Sequence, residues 1–170
     1  MKNQYSDGRT LMQFSGKHEP EWRAINDEVM GGRSTGGPEL RDGKLHFLGT
    51  LSLENNGGFS SVRAKGKTYD LSDAKALAIR VKGDGRTYQI RLYTDARHQG
   101  SRIAYAASFS TKPDEWMETE IPFKALRPVF RGRKLDGPPI DLTSIEEVGF
   151  LIADRREGDF TLIVDWIKAI

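Results

Sequence analysis

Apolar and polar residues alternate in short runs along most of the chain, and glycine and proline interrupt these runs at short intervals. A period of two puts every second side chain on the same face of an extended strand, so the runs predict strands with one buried face. Leu45, Phe47 and Gly49 share one side of a run over Lys44 to Thr50. Leu77, Ile79 and Val81 share one side of another, opposite Ala78, Arg80 and Lys82. Tyr88, Ile90 and Leu92 alternate with Gln89, Arg91 and Tyr93. The intervening Gly83-Asp84-Gly85-Arg86 reads as a tight hairpin turn, which predicts antiparallel pairing of the last two runs. Further strands are expected at Leu11 to Phe14, Phe59 to Ala64, Ile103 to Phe109, Trp116 to Ile121, Val148 to Ile152 and Phe160 to Ile167.

Helical periodicity is scarce. Ser144-Ile145-Glu146-Glu147 has the spacing of a capping box but is expected to mark one turn before a strand, and Pro122 to Leu126 suits a turn of helix. About nine strands divided by turn signals predict an all-β fold, an antiparallel β-sandwich or jelly roll whose two sheets pack their apolar faces together. The 170 residues, numbered 1–170, suit a single domain, since no repeat or linker divides them.

Composition narrows the chemistry. The chain has no cysteine, which excludes disulfides, a thiolate nucleophile, zinc ribbons and iron–sulfur clusters, and leans toward a reducing compartment. The formal charge of +2 comes from interleaved signs with no basic stripe, which argues against a nucleic-acid partner. No apolar run is long enough for a membrane span, and the first residues match neither a signal nor a transit peptide, so a cytoplasmic location is expected.

Two glycine-rich segments stand out. Asn26-Asp27-Glu28-Val29-Met30-Gly31-Gly32 suits a loop with unusual backbone conformations or close approaches. It is either a rigid corner or a ligand or partner contact made by Asp27 and Met30. Asn55-Asn56-Gly57-Gly58 is a second such loop, either a left-handed turn or part of a binding rim, with Phe59 expected as a core plug behind it. Neither is a phosphate loop, because no G-x-x-x-x-G-K pattern or following helix is present.

These segments carry a resemblance. Trp22 to Ser34, with its N-D-x-V-M-G-G-x-S core, resembles the signature of the complex I intermediate-associated protein 30 family. Phe47-Leu48-Gly49 followed by Asn55-Asn56-Gly57-Gly58-Phe59-Ser60-Ser61-Val62-Arg63 is similar to its next block, and Gly83 to Tyr88, Ile121-Pro122-Phe123, Arg131-Gly132-Arg133, Gly149-Phe150 and Gly158-Asp159-Phe160 agree with later ones. The likeness runs from about 14 to 167. It implies a galactose-binding-like β-sandwich. It also implies the role of an assembly factor or chaperone with a protein partner, such as a respiratory-complex subunit or assembly intermediate.

Alternation also assigns outward-facing groups. Arg63, Arg80, Arg91 and Tyr93 are expected to share a face that could take a carboxylate, a phosphate, sugar hydroxyls or an acidic peptide. Alternatively Asp165, Asp154 and Asp95 neutralise these arginines. Asp165 is itself an outward-facing candidate, as is Ile163. His18, His46 and His98 have no metal-ligand spacing and are expected at the surface, and Glu118/Glu120 reads as solvent-facing alternation. No catalytic constellation, cofactor motif or assignable metal site appears, although a structural calcium ion is compatible with the composition. The expected function is therefore non-catalytic protein binding. The alternative is a carbohydrate-binding module with Trp22, Tyr93 and Trp116 as sugar platforms, and an enzyme using the arginine-rich groove is the least favoured reading.

Overall fold

A computed structural model describes residues 5, 8–14, 19–27 and 31–170. Among these residues the strands are β1 (Arg9–Met12), β2 (Glu21–Asn26), β3 (Thr35–Arg41), β4 (Lys44–Leu51), β5 (Ser60–Lys65), β6 (Ala76–Lys82) and β7 (Thr87–His98). They continue with β8 (Ser101–Ser110), β9 (Trp116–Pro122), β10 (Arg127–Phe130), β11 (Arg133–Lys134), β12 (Glu147–Ile152) and β13 (Gly158–Ala169). One sheet runs β3-β4-β13-β6-β9 with β1 also paired to β13, and the other runs β11-β10-β8-β7-β12-β5-β2. All strand pairs within them are antiparallel. The fold is the antiparallel β-sandwich that the sequence predicts.

The core lies between the sheets. Leu45, Phe47, Ile79, Val81, Leu162 and Val164 face Val62, Tyr88, Ile90, Leu92, Tyr105 and Phe150, and all are buried. Aromatic rings pack within and between the layers: Phe47 is edge-on to Phe160 of its own sheet at 4.9 Å and to Tyr88 of the other sheet at 6.3 Å. No helix of the described residues is long and apolar enough to cross a membrane.

The expected β6–β7 hairpin does not form. β6 pairs with β13 and β9, while β7 pairs with β12 and β8 in the other sheet. Gly83 to Arg86 crosses between the layers because its polar groups are satisfied at the end of the sandwich. Arg86 is buried against Asp154, with Nε donating to Oδ2 at 2.8 Å and Nη2 to Oδ1 at 2.6 Å. Its Nη1 donates to the carbonyls of Gly158 and Asp159, and Nη2 also reaches the Arg156 carbonyl. Asp84 accepts from the Tyr88 hydroxyl at 3.0 Å and from the Thr161 amide at 2.8 Å.

Four strands escape the alternation test for physical reasons. β2 turns Asn26 inward, where an apolar residue would be expected. Its amide is satisfied by donation to Gly36 O at 3.0 Å and by the Ser60 hydroxyl at 2.6 Å. β3 contains Gly36, Gly37 and Pro38 and is an edge strand, the position at which a missing amide donor is tolerated. β10 and β11 are simply short. Phe123–Ala125 forms the single helical turn expected near Pro122.

Candidate functional site

Strand register places the outward-facing groups in rows across the seven-stranded sheet. One row runs Arg23, Arg63, Gly149, Arg91, Ala106 and Arg127, each directly opposite the next. The neighbouring row is Ile25, Ser61, Leu151, Gln89 and Ser108. Gly149 leaves room between Arg63 and Arg91, since a Cβ there would stand 2.6 Å from Val62 O and 3.5 Å from Arg63 Cγ. These rows frame a hollow of about 550 Å³, whose floor is Ile25, Ser61, Leu151 and Ala153, with Phe59 also lining it. Arg63, Arg91 and the Arg131-Gly132 turn line it as well. That turn is a two-residue link between β10 and β11, with φ of 48° and 79°, which fixes Arg131 beside the hollow. Phe59 is half-buried here, so it is a wall of the hollow and not the core plug expected from the sequence.

Beside the hollow, Glu147 holds three guanidinium groups. Arg23 Nη2 lies 3.0 Å from one carboxylate oxygen, and Arg63 and Arg102 each approach the other at 3.6 Å. The Glu147 side chain is 6% exposed, and Arg63 stacks over the Tyr93 ring at 3.9 Å. Arg91 donates from Nε to Gln89 Oε1 at 2.9 Å. Among the described residues, neither Arg91 nor Arg131 belongs to an ion pair. Sequence reasoning missed Glu147, because its place in a capping-box pattern concealed its alternation with Val148 and Phe150. Glu147→Gln keeps the shape but leaves three cations around a neutral amide, at an expected cost of about 2 kcal/mol. Urea denaturation measures it, and an unchanged midpoint would show that water compensates the arginines.

The expected common face is divided. Arg63, Arg91 and Tyr93 lie on the seven-stranded sheet, whereas Arg80 and Asp165 lie on the six-stranded one. There Arg80 Nε meets Asp165 Oδ2 at 3.1 Å and its guanidinium covers the Trp116 ring at 4.8 Å. Alternation gives each strand's outer side but not its sheet, and the chain changes sheet on both sides of β6, between Arg63 and Arg80 and again at Gly83 to Arg86. Asp154 neutralises Arg86 instead of the arginines for which it was considered. His46 is buried, contrary to expectation. Of the three aromatic residues considered as sugar platforms, Trp22 is buried in the core and Tyr93 is buried under Arg63, whereas Trp116 is half-buried with Arg80 over one face of its ring.

The glycine-rich loops meet on Asp27, which is fully buried and is not a surface contact. Its Oδ1 accepts from the Ser34 amide at 2.9 Å. Its Oδ2 accepts from the Ser34 hydroxyl at 2.7 Å, the Gly58 amide at 2.6 Å and the Phe59 amide at 3.2 Å. Burial pushes its carboxyl pKa upward, but the hydrogen bonds from Gly58, Ser34 and Phe59 outweigh that and hold it below the ordinary value. The close approach explains two glycines, since a Cβ on Gly32 would stand 2.4 Å from Asp27 Cγ and one on Gly57 2.6 Å from Oδ2. Asn55 and Asn56 are exposed in left-handed conformations, as in the turn that is one of their two readings. Met30 and His18 lie outside the described residues. Among the described residues, no group of three or more His, Asp or Glu is placed to hold a metal ion.

Comparison with known proteins agrees with this architecture. Residues 12–164 match the family described as Complex I intermediate-associated protein 30. A mouse protein, "Complex I intermediate-associated protein 30, mitochondrial", is 28% identical over 94% of this chain and 55% of its own length. An uncharacterized fission-yeast protein (Schizosaccharomyces pombe) is 27% identical over 90% of the chain and 79% of its own length. The chain thus spans about half of the mouse relative. The relatives that bear the family name are mitochondrial proteins, which overturns the cytoplasmic placement expected from the sequence. Among solved structures, the family 11 carbohydrate-binding module of a Clostridium thermocellum cellulosomal cellulase is similar in fold. It has a TM-score of 0.69 and 18% identity, over 96% of this chain and 94% of that one. A further structure of that module, in complex with a β-1,3-1,4-mixed-linked tetrasaccharide, has a TM-score of 0.68 at 18% identity, over 95% of this chain and 94% of that one.

Proposed function

The chain belongs to the complex I intermediate-associated protein 30 family, and on that premise we propose that it is a non-catalytic assembly module. It holds a protein partner, a respiratory-complex subunit or assembly intermediate, on the outer face of the seven-stranded sheet. The observation that carries this reading is the hollow itself. A patch of Ile25, Leu151 and Phe59 on the outside of a sheet, bordered by guanidinium groups, has the make-up of an interface with an apolar centre and a polar rim. Most outer-face positions of this sandwich are polar, so aliphatic groups gathered with arginine mark the place where burial against a partner gains most.

The carbohydrate alternative draws on the shared fold alone. Trp22 and Tyr93 are buried, and Trp116, half-buried with Arg80 over one face, lies on the other sheet, away from the hollow.

The test is affinity purification of tagged full chain from native extract, followed by quantification of respiratory-complex subunits. Ile25→Glu places a charge on the half-buried floor of the hollow and is expected to reduce their recovery about tenfold. Glu120→Lys, at an exposed position of β9 on the other sheet, is expected to leave recovery unchanged. Equal recovery from wild type and Ile25→Glu rejects this face as the binding surface.

A further inference from the structure

The lining of the hollow is chemically one-sided. It contains Arg63, Arg91 and Arg131 and no acidic residue. Glu147, beside it, is already shared by Arg23, Arg63 and Arg102, so its charge is committed. The Arg91 side chain is held through Nε by Gln89, and this contact leaves the two Nη groups of its planar head as donors for a visitor. Arg131 is set on a tight turn with its guanidinium 5.3 Å from the Phe130 ring, a stacking that restricts the side chain while leaving its hydrogen-bond donors available. Two restrained guanidinium groups without ion pairs among the described residues thus border a floor made largely of Ile25, Leu151 and Ala153.

We infer that this surface recognises an extended acidic segment of the partner protein, with carboxylate side chains bound by Arg91 and Arg131 and a neighbouring aliphatic side chain seated on Ile25 and Phe59. The inference rests on the protein-binding reading above and specifies the chemistry of the partner. Charge complementarity selects the acid, because arginine's fork matches a carboxylate in a bidentate fashion. The floor selects the aliphatic neighbour. Water over the half-buried Ile25 and Phe59 is displaced with gain only by an apolar group, which a bare inorganic anion does not supply. A polypeptide provides both at adjacent positions, since in an extended segment successive side chains point to opposite sides and every second one returns to the same face.

Fluorescence anisotropy with full-length chain tests this, using a labelled peptide of mixed Asp, Glu, Leu and Ile and its Asn/Gln counterpart. The acidic peptide is expected to bind at least about tenfold more tightly than the amide version, and its affinity is expected to fall several-fold as salt rises from about 0.05 M to about 0.5 M. Arg91→Gln with Arg131→Gln is expected to remove that preference. Circular dichroism and thermal melting confirm that the double variant folds. Equal binding of the two peptides, or an acid preference that survives in the double variant, overturns acid recognition. The protein-binding reading still stands in that case if Ile25→Glu abolishes recovery of respiratory-complex subunits. Binding of a mixed-linked tetrasaccharide in the hollow, with no binding of either peptide, overturns both.

Discussion

Replacing Asp27 by alanine is expected to cost the fold about 4 kcal/mol, the largest of three stability effects that the structure locates in single carboxylates. The Asp27 side chain closes both glycine-rich loops at once. Its removal strands the amides of Ser34, Gly58 and Phe59 around a gap, while the Ser34 hydroxyl keeps the Ser52 carbonyl as an acceptor at 3.1 Å. Each buried donor left without a partner costs roughly 1–3 kcal/mol, and some relaxation keeps the total below the sum. With a typical urea dependence of about 2 kcal/mol per molar, the midpoint should fall by about 2 M. A loss under about 1 kcal/mol would mean that water takes over the carboxylate's role. The pH dependence has a definite sign. Because the folded carboxyl sits below its ordinary value of 3.8, the unfolded state binds the proton more readily. The stabilisation is therefore complete above about pH 4 and is lost as pH falls through the folded value. Wild type should lose stability over that acid range more steeply than Asp27→Ala.

Asp154→Ala is expected to cost about 3–4 kcal/mol through a different mechanism, the stranding of a charge. The Arg86–Asp154 pair is nearly enclosed, with side-chain exposures of 7% and 10%. The carbonyls that also receive Arg86 cannot replace its counterion. Burial raises the Asp154 pKa, but the Arg86 hydrogen bond and charge, with the Arg156 amide, bring it below the ordinary value. Its contribution is accordingly also lost as pH falls below that value. Removing both charges in Arg86→Met with Asp154→Leu should recover much of the loss, since the double variant leaves no uncompensated ion. A double variant as unstable as the two single losses summed would contradict this account. Arg86→Lys should not substitute, because an ammonium cannot span the carboxylate and three carbonyls that the fork reaches.

The two sites show how differently buried polar groups are written in a sequence. Asp27 stands in a segment whose glycines are conspicuous, and the sequence marks a constrained loop there without telling a latch from a ligand contact. Gly32 and Gly57 lie 25 positions apart, and only in the folded chain does one carboxylate require both. Glu147 leaves little trace, because a glutamate at the start of a strand is ordinary and its three arginines come from β2, β5 and β8.

By itself, the sequence determined the all-β class, most of the strands and the outward orientation of Arg63, Arg91 and Tyr93, because a period of two is a local property of extended backbone. Only tertiary structure decided which outward groups became neighbours. Arg80 and Arg91 obey the same alternation but lie on opposite outer faces, since the turn at Gly83 to Arg86 carries the chain from one sheet to the other. Strand pairing is a long-range choice fixed by how the two apolar faces close on one core, and it is that closure which brought Arg91 and Arg131 to one hollow and Arg80 to Asp165.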